Sequence, residues 1–179
     1  MMATRDISCP TLIESGDNTG AEISAPKRGY LTETFRIFRL HDPVTTPIPF
    51  HYHDFHKIIL FISGQSGYTI EGKTWQLSPR DIVFVRAGEI HRPLPLLGAP
   101  YERIVIYVAP ELLSRYRHGT DDLAACFLPE HRPSNVMHLT AGKTHDLLFH
   151  MEKLERTAHA SGFANALYME MLFVEFMIL

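Results

Sequence analysis

Between Leu31 and Ala109 the chain runs through short apolar segments, LTETFRIFRL, KIILFIS, GYTI, TWQLS, DIVFV and YERIVIYVA, rich in β-branched and aromatic residues. Turn chemistry separates them at Ser63-Gly64, Glu71-Gly72-Lys73, Ser78-Pro79-Arg80-Asp81 and Gly98-Ala99-Pro100. A chain divided this way buries its apolar faces by folding into an antiparallel barrel or sandwich. Nothing in it has the strand, crossover helix, strand rhythm of a parallel sheet, and no glycine-rich phosphate loop is present. KIILFI and DIVFV are apolar on both faces, as expected of strands covered on both sides. GYTI and TWQL flank Glu71-Gly72 as the arms of a hairpin.

After Ala109 the period changes. Pro110 and Glu111 suit the first turn of a short helix, where a fixed φ and an acidic charge are both favourable. Residues 119–140, with Pro129 and Pro133, read as irregular. From about Ala141 onward, Leu147, Leu148, Met151 and Leu154, then Leu167, Met171, Val174 and Ile178, recur at steps of three and four, which predicts two antiparallel helices divided near Gly162. The segment ALYMEMLFVEFMIL is apolar nearly all round, and one helix buries only one stripe on its own barrel. The rest is therefore expected to meet a partner copy or a downstream domain, with Leu167, Met171, Val174 and Ile178 as the dimerisation residues. That segment has no Gly or Pro terminator, and the expectation is a helix cut by the end of the sequence rather than capped. Residues 1–28 are polar and rich in turn formers, so the expected organisation is a loose arm (1–28), a β-barrel (29–118), and a linker with C-terminal helices (119–179).

Eleven histidines are the count that stands out. In extended backbone, His51 and His53 of PFHYHDFHKIILFISGQ share a face with Phe55 and Lys57, whereas His56 points the other way. In SPRDIVFVRAGEIHRP a Gly88 turn places His91 just beyond a strand. Three imidazoles with an open position suit a divalent ion. A protonated Lys57 at ~4 Å would repel such an ion by several kcal/mol at an effective dielectric of about 20. His118, His131, His138, His145, His150 and His159 fall outside the barrel pattern and read as surface or interface residues. The net charge of −3 lacks the positive excess that tight nucleic-acid binding needs. Cys9 and Cys126 are too few for a disulfide framework and read as inert thiols in a reducing cytoplasm. No apolar run has signal-peptide length, and Glu170 and Glu175 interrupt the last one, so neither export nor a membrane is expected.

His51-x-His53, Gly64, Gly88 and His91 resemble the two motifs of the cupin superfamily, with Lys57 at the glutamate position, Arg86 at a proline position and Arg80 at the usual glycine before Asp81. The resemblance implies a mainly β fold, a double-stranded β-helix or jelly-roll barrel, followed here by α-helices. Together with PYERIVIYVAPELL and the terminal helical pair, residues 30–179 look like the N-terminal effector-binding and dimerisation domain of AraC-type transcription regulators. That implies a small-molecule effector in the barrel, a homodimer through the helices, and DNA contact through a helix-turn-helix module downstream of Leu179. The expected ligand-binding residues are His51, His53, Lys57 and His91, with Phe55, Trp75 and Tyr107. No cofactor is required, although His51, His53 and His91 would be the ligands of a Zn, Ni, Fe or Mn ion. Lys57, with Arg80, Arg86 and Arg92 nearby, points to an anionic effector such as a carboxylate or sugar acid. The alternative is a metal-dependent cupin enzyme, a dioxygenase or isomerase, built on His51, His53 and His91. A barrel that binds nothing and merely positions the helices is a third.

Overall fold

Two antiparallel sheets account for the turn-punctuated segments. The computed structural model describes residues 25–179 and the backbone of Leu12 and Ile13. One sheet has the order β1-β5-β4-β7, with β1 at Leu12–Ile13, β4 at Ser66–Ile70, β5 at Lys73–Gln76 and β7 at His91–Pro95. The other has the order β11-β6-β3-β8-β2 and comprises β2 (Phe35–His41), β3 (His56–Gly64), β6 (Asp81–Val85), β8 (Tyr101–Val108) and β11 (Val136–His138). The β4–β5 hairpin turns on Glu71 and Gly72, both at positive φ (47° and 77°), as a two-residue primed turn demands.

The five-stranded sheet is apolar on both faces because both are covered. Ile59, Phe61, Val83, Val85 and Val105 face the other sheet and pack with Tyr68, Ile70, Trp75 and Leu77. Their alternates Ile58, Leu60, Ile82, Ile104, Ile106 and Val108 face outward into a second core with the helices. α1 (Pro110–Ser114) has Pro110 in its first turn and contributes Leu112 and Leu113 to that core. α2 (Ala141–Ala158) starts at Thr140, whose side chain accepts from the Lys143 N–H, and buries Leu147, Met151 and Leu154. α3 (Asn165–Ile178) buries Leu172, Phe173 and Phe176, with Phe173 stacked on Phe35 of β2 at 4.7 Å. Ties from Thr157 to Asn165 and from His150 to Glu175 set α2 and α3 antiparallel. Between them the chain turns through Gly162 and Ala164, both at positive φ.

The expected boundary at residue 118 shifts. The stretch 119–140 is not simply irregular. It contains β10 (Asp121–Asp122), which pairs back onto β9 (Arg117–His118), two 3₁₀ turns and β11. β11 pairs with β6 from Val136–Val83 to His138–Asp81, so the five-stranded sheet extends past residue 118. The loose arm and Cys9 lie largely outside the described residues. Where the arm is described its backbone is paired, Leu12–Ile13 with the edge of β5 and Lys27 with Tyr52. An open sheet edge offers unpaired N–H and C=O groups to any extended neighbour. Burial pushes the Cys126 thiol up to about 12, which makes it inert. Among the described residues no helix is long and apolar enough to cross a membrane.

Candidate functional site

Before the bend at Asp54 and Phe55 that leads into β3, His51 bridges β7 through reciprocal backbone hydrogen bonds with His91. That bridge, with the two-residue period of 51 and 53, brings three imidazoles together. Ring centroids are 5.0 Å apart for His51–His53, 4.5 Å for His51–His91 and 5.0 Å for His53–His91, and all three residues are buried. Each Nδ1 faces a carbonyl oxygen: Pro49 at 2.8 Å for His51, Arg28 for His53 and Glu89 at 2.9 Å for His91. Carbonyls only accept, so each Nδ1 carries the proton and each Nε2 keeps a lone pair. The Nε2 atoms of His53 and His91 are buried without a partner among the described residues. One ligand atom from each residue falls within 4.8 Å of the others. Burial, then the charge of Lys57, pushes His53 down to about 4 and His91 to about 2. His51 is lowered in the same sense, chiefly by burial.

Three neutral imidazoles with converging lone pairs fit a divalent ion as donors, and His51, His53 and His91 would hold it. Lys57 stands on the inward face of β3, and burial, aided by Arg103, lowers its ammonium to about 8. It remains mostly protonated at neutral pH, so the fourth group near the imidazoles opposes a cation where a carboxylate would help.

Beside His51 the two sheets leave a cavity of about 140 Å³, lined by Lys57, Tyr68, Tyr101, Arg103, Tyr107 and apolar side chains that include Phe38 and Ile59. Its floor is β8, where Tyr101, Arg103, Val105 and Tyr107 alternate inward. The Tyr68 hydroxyl is buried without a partner among the described residues. Pockets for drug-sized ligands run from about 300 Å³ upward, whereas an engineered cavity of about 150 Å³ holds benzene, so this volume suits a molecule of that size.

Residues 36–172 match the family model of the AraC-like ligand binding domain. The chain belongs to that family. Membership supports a ligand-sensing role for this AraC-like domain. Solved structures similar to it include a cupin protein from Bacteroides fragilis, at 19 % identity over 50 % of this chain and 74 % of that one, with a TM-score of 0.40. Another is an RmlC-like cupin family protein with a double-stranded β-helix fold from Methanocaldococcus jannaschii, at 16 % identity over 60 % and 87 % of the two chains, with a TM-score of 0.39. Among curated proteins none matches.

Within the AraC-like domain, the residues expected at the site divide into three groups. His51, Lys57 and Tyr107 line the cavity, while His53 and His91 adjoin it through His51. Phe55 is not at the cavity wall. It stands behind His53 and Tyr107, 4.5 Å from each ring, and fixes their planes by packing. Trp75 is likewise displaced from the pocket, into the core between the sheets at 2 % exposure, because its strand lies beyond β4 from the cavity. The expected cationic neighbours also change. Arg80 and Arg86 are exposed, and Arg92 packs over Phe50 at 4.2 Å, so none lines the cavity. Arg103 does. The sequence held a signal for it, since Arg103 and Tyr101 are two-residue alternates of Tyr107 on one strand.

Proposed function

We propose that this chain is the effector-sensing domain of an AraC-type transcription regulator, binding a small molecule between its two sheets. The observation that carries this reading is the half-open cavity beside the three imidazoles, in a member of a ligand-binding family. A ligand that contacts β8 from inside favours one arrangement of that strand over another, and so biases the helices packed on its outer face. The exposed stripe of α3 is the proposed homodimer seam, and DNA is read by a separate helix-turn-helix module. Chemistry is not required of the domain in this reading.

The test is a thermal-shift screen of small metabolites followed by calorimetry. A true effector at 100 times its Kd stabilises the fold by about 2.7 kcal/mol. Tyr107→Ala, which removes one wall of the cavity, is expected to abolish that response. Consistent silence across the screen would favour a purely structural barrel. The converging Nε2 atoms support one second reading, a metal-dependent enzyme. Elemental analysis of untagged protein tests it, since near-stoichiometric iron, nickel or manganese would favour that alternative.

A further inference from the structure

Among the described residues Lys57 has no counter-charge. Its side chain is buried at 9 % exposure, and among the described residues it makes no ion pair or hydrogen bond. Its recorded neighbour is the ring of Tyr107, 5.8 Å from Nζ. An ammonium desolvated on a mostly aromatic and aliphatic pocket wall without a counter-charge is costly, and an anion set beside it offsets the cost. Arg103 reaches the same cavity. Its Nη1 donates to the Tyr101 carbonyl at 2.7 Å and to the exposed carboxylate of Asp42 at 3.3 Å. A guanidinium carries five N–H donors in all, so others remain for a ligand.

Among the described residues no acidic side chain lines the cavity, so its two charged groups there are both cations. Tyr68 adds a buried hydroxyl without a partner among the described residues. The remaining wall is aromatic and aliphatic, and the space is that of a six-membered ring with a small substituent. A divalent ion in this cavity would meet two like charges, and a neutral sugar would leave the ammonium uncompensated.

We propose that the cavity of this sensor takes a small monocarboxylate with a flat apolar body, of about the size of benzoate, with its carboxylate set against Lys57 and Arg103 and accepting from the Tyr68 hydroxyl. This rests on the reading of the barrel as an effector pocket and names the chemical class that fills it. Charge-assisted hydrogen bonds supply the selectivity, and the ring occupies the aromatic wall.

The experiment is isothermal titration of the 179-residue chain with benzoate, its neutral isostere benzamide, and D-glucose. Benzoate is expected to bind at least tenfold more tightly than either neutral compound. Lys57→Met and Arg103→Met are each expected to weaken benzoate at least tenfold, and Tyr68→Phe several-fold. Lys57→Met keeps the volume and removes the uncompensated charge, so without ligand it is expected to retain the wild-type circular dichroism spectrum and to melt at a higher temperature. That separates lost binding from lost folding. Equal or tighter binding of benzamide or glucose, or wild-type benzoate affinity in Lys57→Met, overturns the anionic class while leaving the sensor reading in place. If none of the three compounds binds, the class proposal fails. The sensor reading fails with it only if the wider metabolite screen is silent too.

Discussion

Arg80 shows how a single position can hold more strain than its neighbours. It occupies the left-handed region at φ 81°, where a Cβ is unwelcome, while its N–H donates to Phe61 and its carbonyl accepts from Leu139. Both hydrogen bonds use the backbone alone and the side chain is exposed, so among the described residues no side-chain contact of Arg80 repays the strain. Replacing it by glycine is expected to stabilise the fold by about 1 kcal/mol, after allowing for the greater freedom of glycine in the unfolded chain. Urea denaturation measures this, and an unchanged or lower midpoint would contradict it. Residue-scale reading of the sequence went far at the imidazoles, because a two-residue spacing in extended chain fixes which side chains share a face. It went less far at Arg103, whose charge masked its membership of an inward-facing row, and at Trp75, whose distance from the pocket depends on the order of strands rather than on any local pattern.

Elements differ in how plainly the chain announces them. The β4–β5 hairpin, the opening of α1 and the division between α2 and α3 were legible, since Glu71-Gly72, Pro110 and Gly162 each act within a few residues. β11 was not. Val136-Met137-His138 is too short to display alternation and becomes a strand only because β6 offers it an edge. α3 is the element with two faces of unequal use. Leu172 at 2 % exposure belongs to the core with the outer face of the sheet, whereas Leu167 and Met171 are more than 60 % exposed. Leu172→Ala is expected to cost 2–5 kcal/mol by leaving a cavity, and Leu167→Ala less than about 0.5 kcal/mol in the isolated chain. If the exposed stripe is the dimer seam, Leu167→Glu with Met171→Glu turns a dimer into a well-folded monomer in sedimentation velocity. A wild-type chain that sediments as a monomer at high concentration removes the seam.

At the scale of the molecule the buried histidines make stability depend on pH with one sign. His56, stacked on Phe127 with ring centroids 4.2 Å apart, is pushed down to about 4 by burial and then by Arg86 and Arg132. In the unfolded chain it takes a proton near 6.5, so between about 6.5 and 4 the unfolded state binds more protons than the folded one. Its contribution is full above 6.5 and lost as the pH falls towards 4, at about 1.4 kcal/mol per unit. At pH 5 the loss from His56 is about 2 kcal/mol, a large part of a typical 5–15 kcal/mol total. Denaturation midpoints at pH 7.5 and 5 are expected to differ accordingly, and His56→Phe, which keeps the stack on Phe127, is expected to shrink the difference. Equal midpoints at the two pH values would rule this out.

β8 is a single extended strand with Tyr101, Arg103 and Tyr107 turned towards the pocket and Ile104, Ile106 and Val108 turned towards the helices. Interior and exterior are thus separated by one peptide's thickness. In the proposed sensor a ligand inside would act on the helices through this one strand, and trimming Ile104 or Ile106 is expected to weaken that response while leaving occupancy intact.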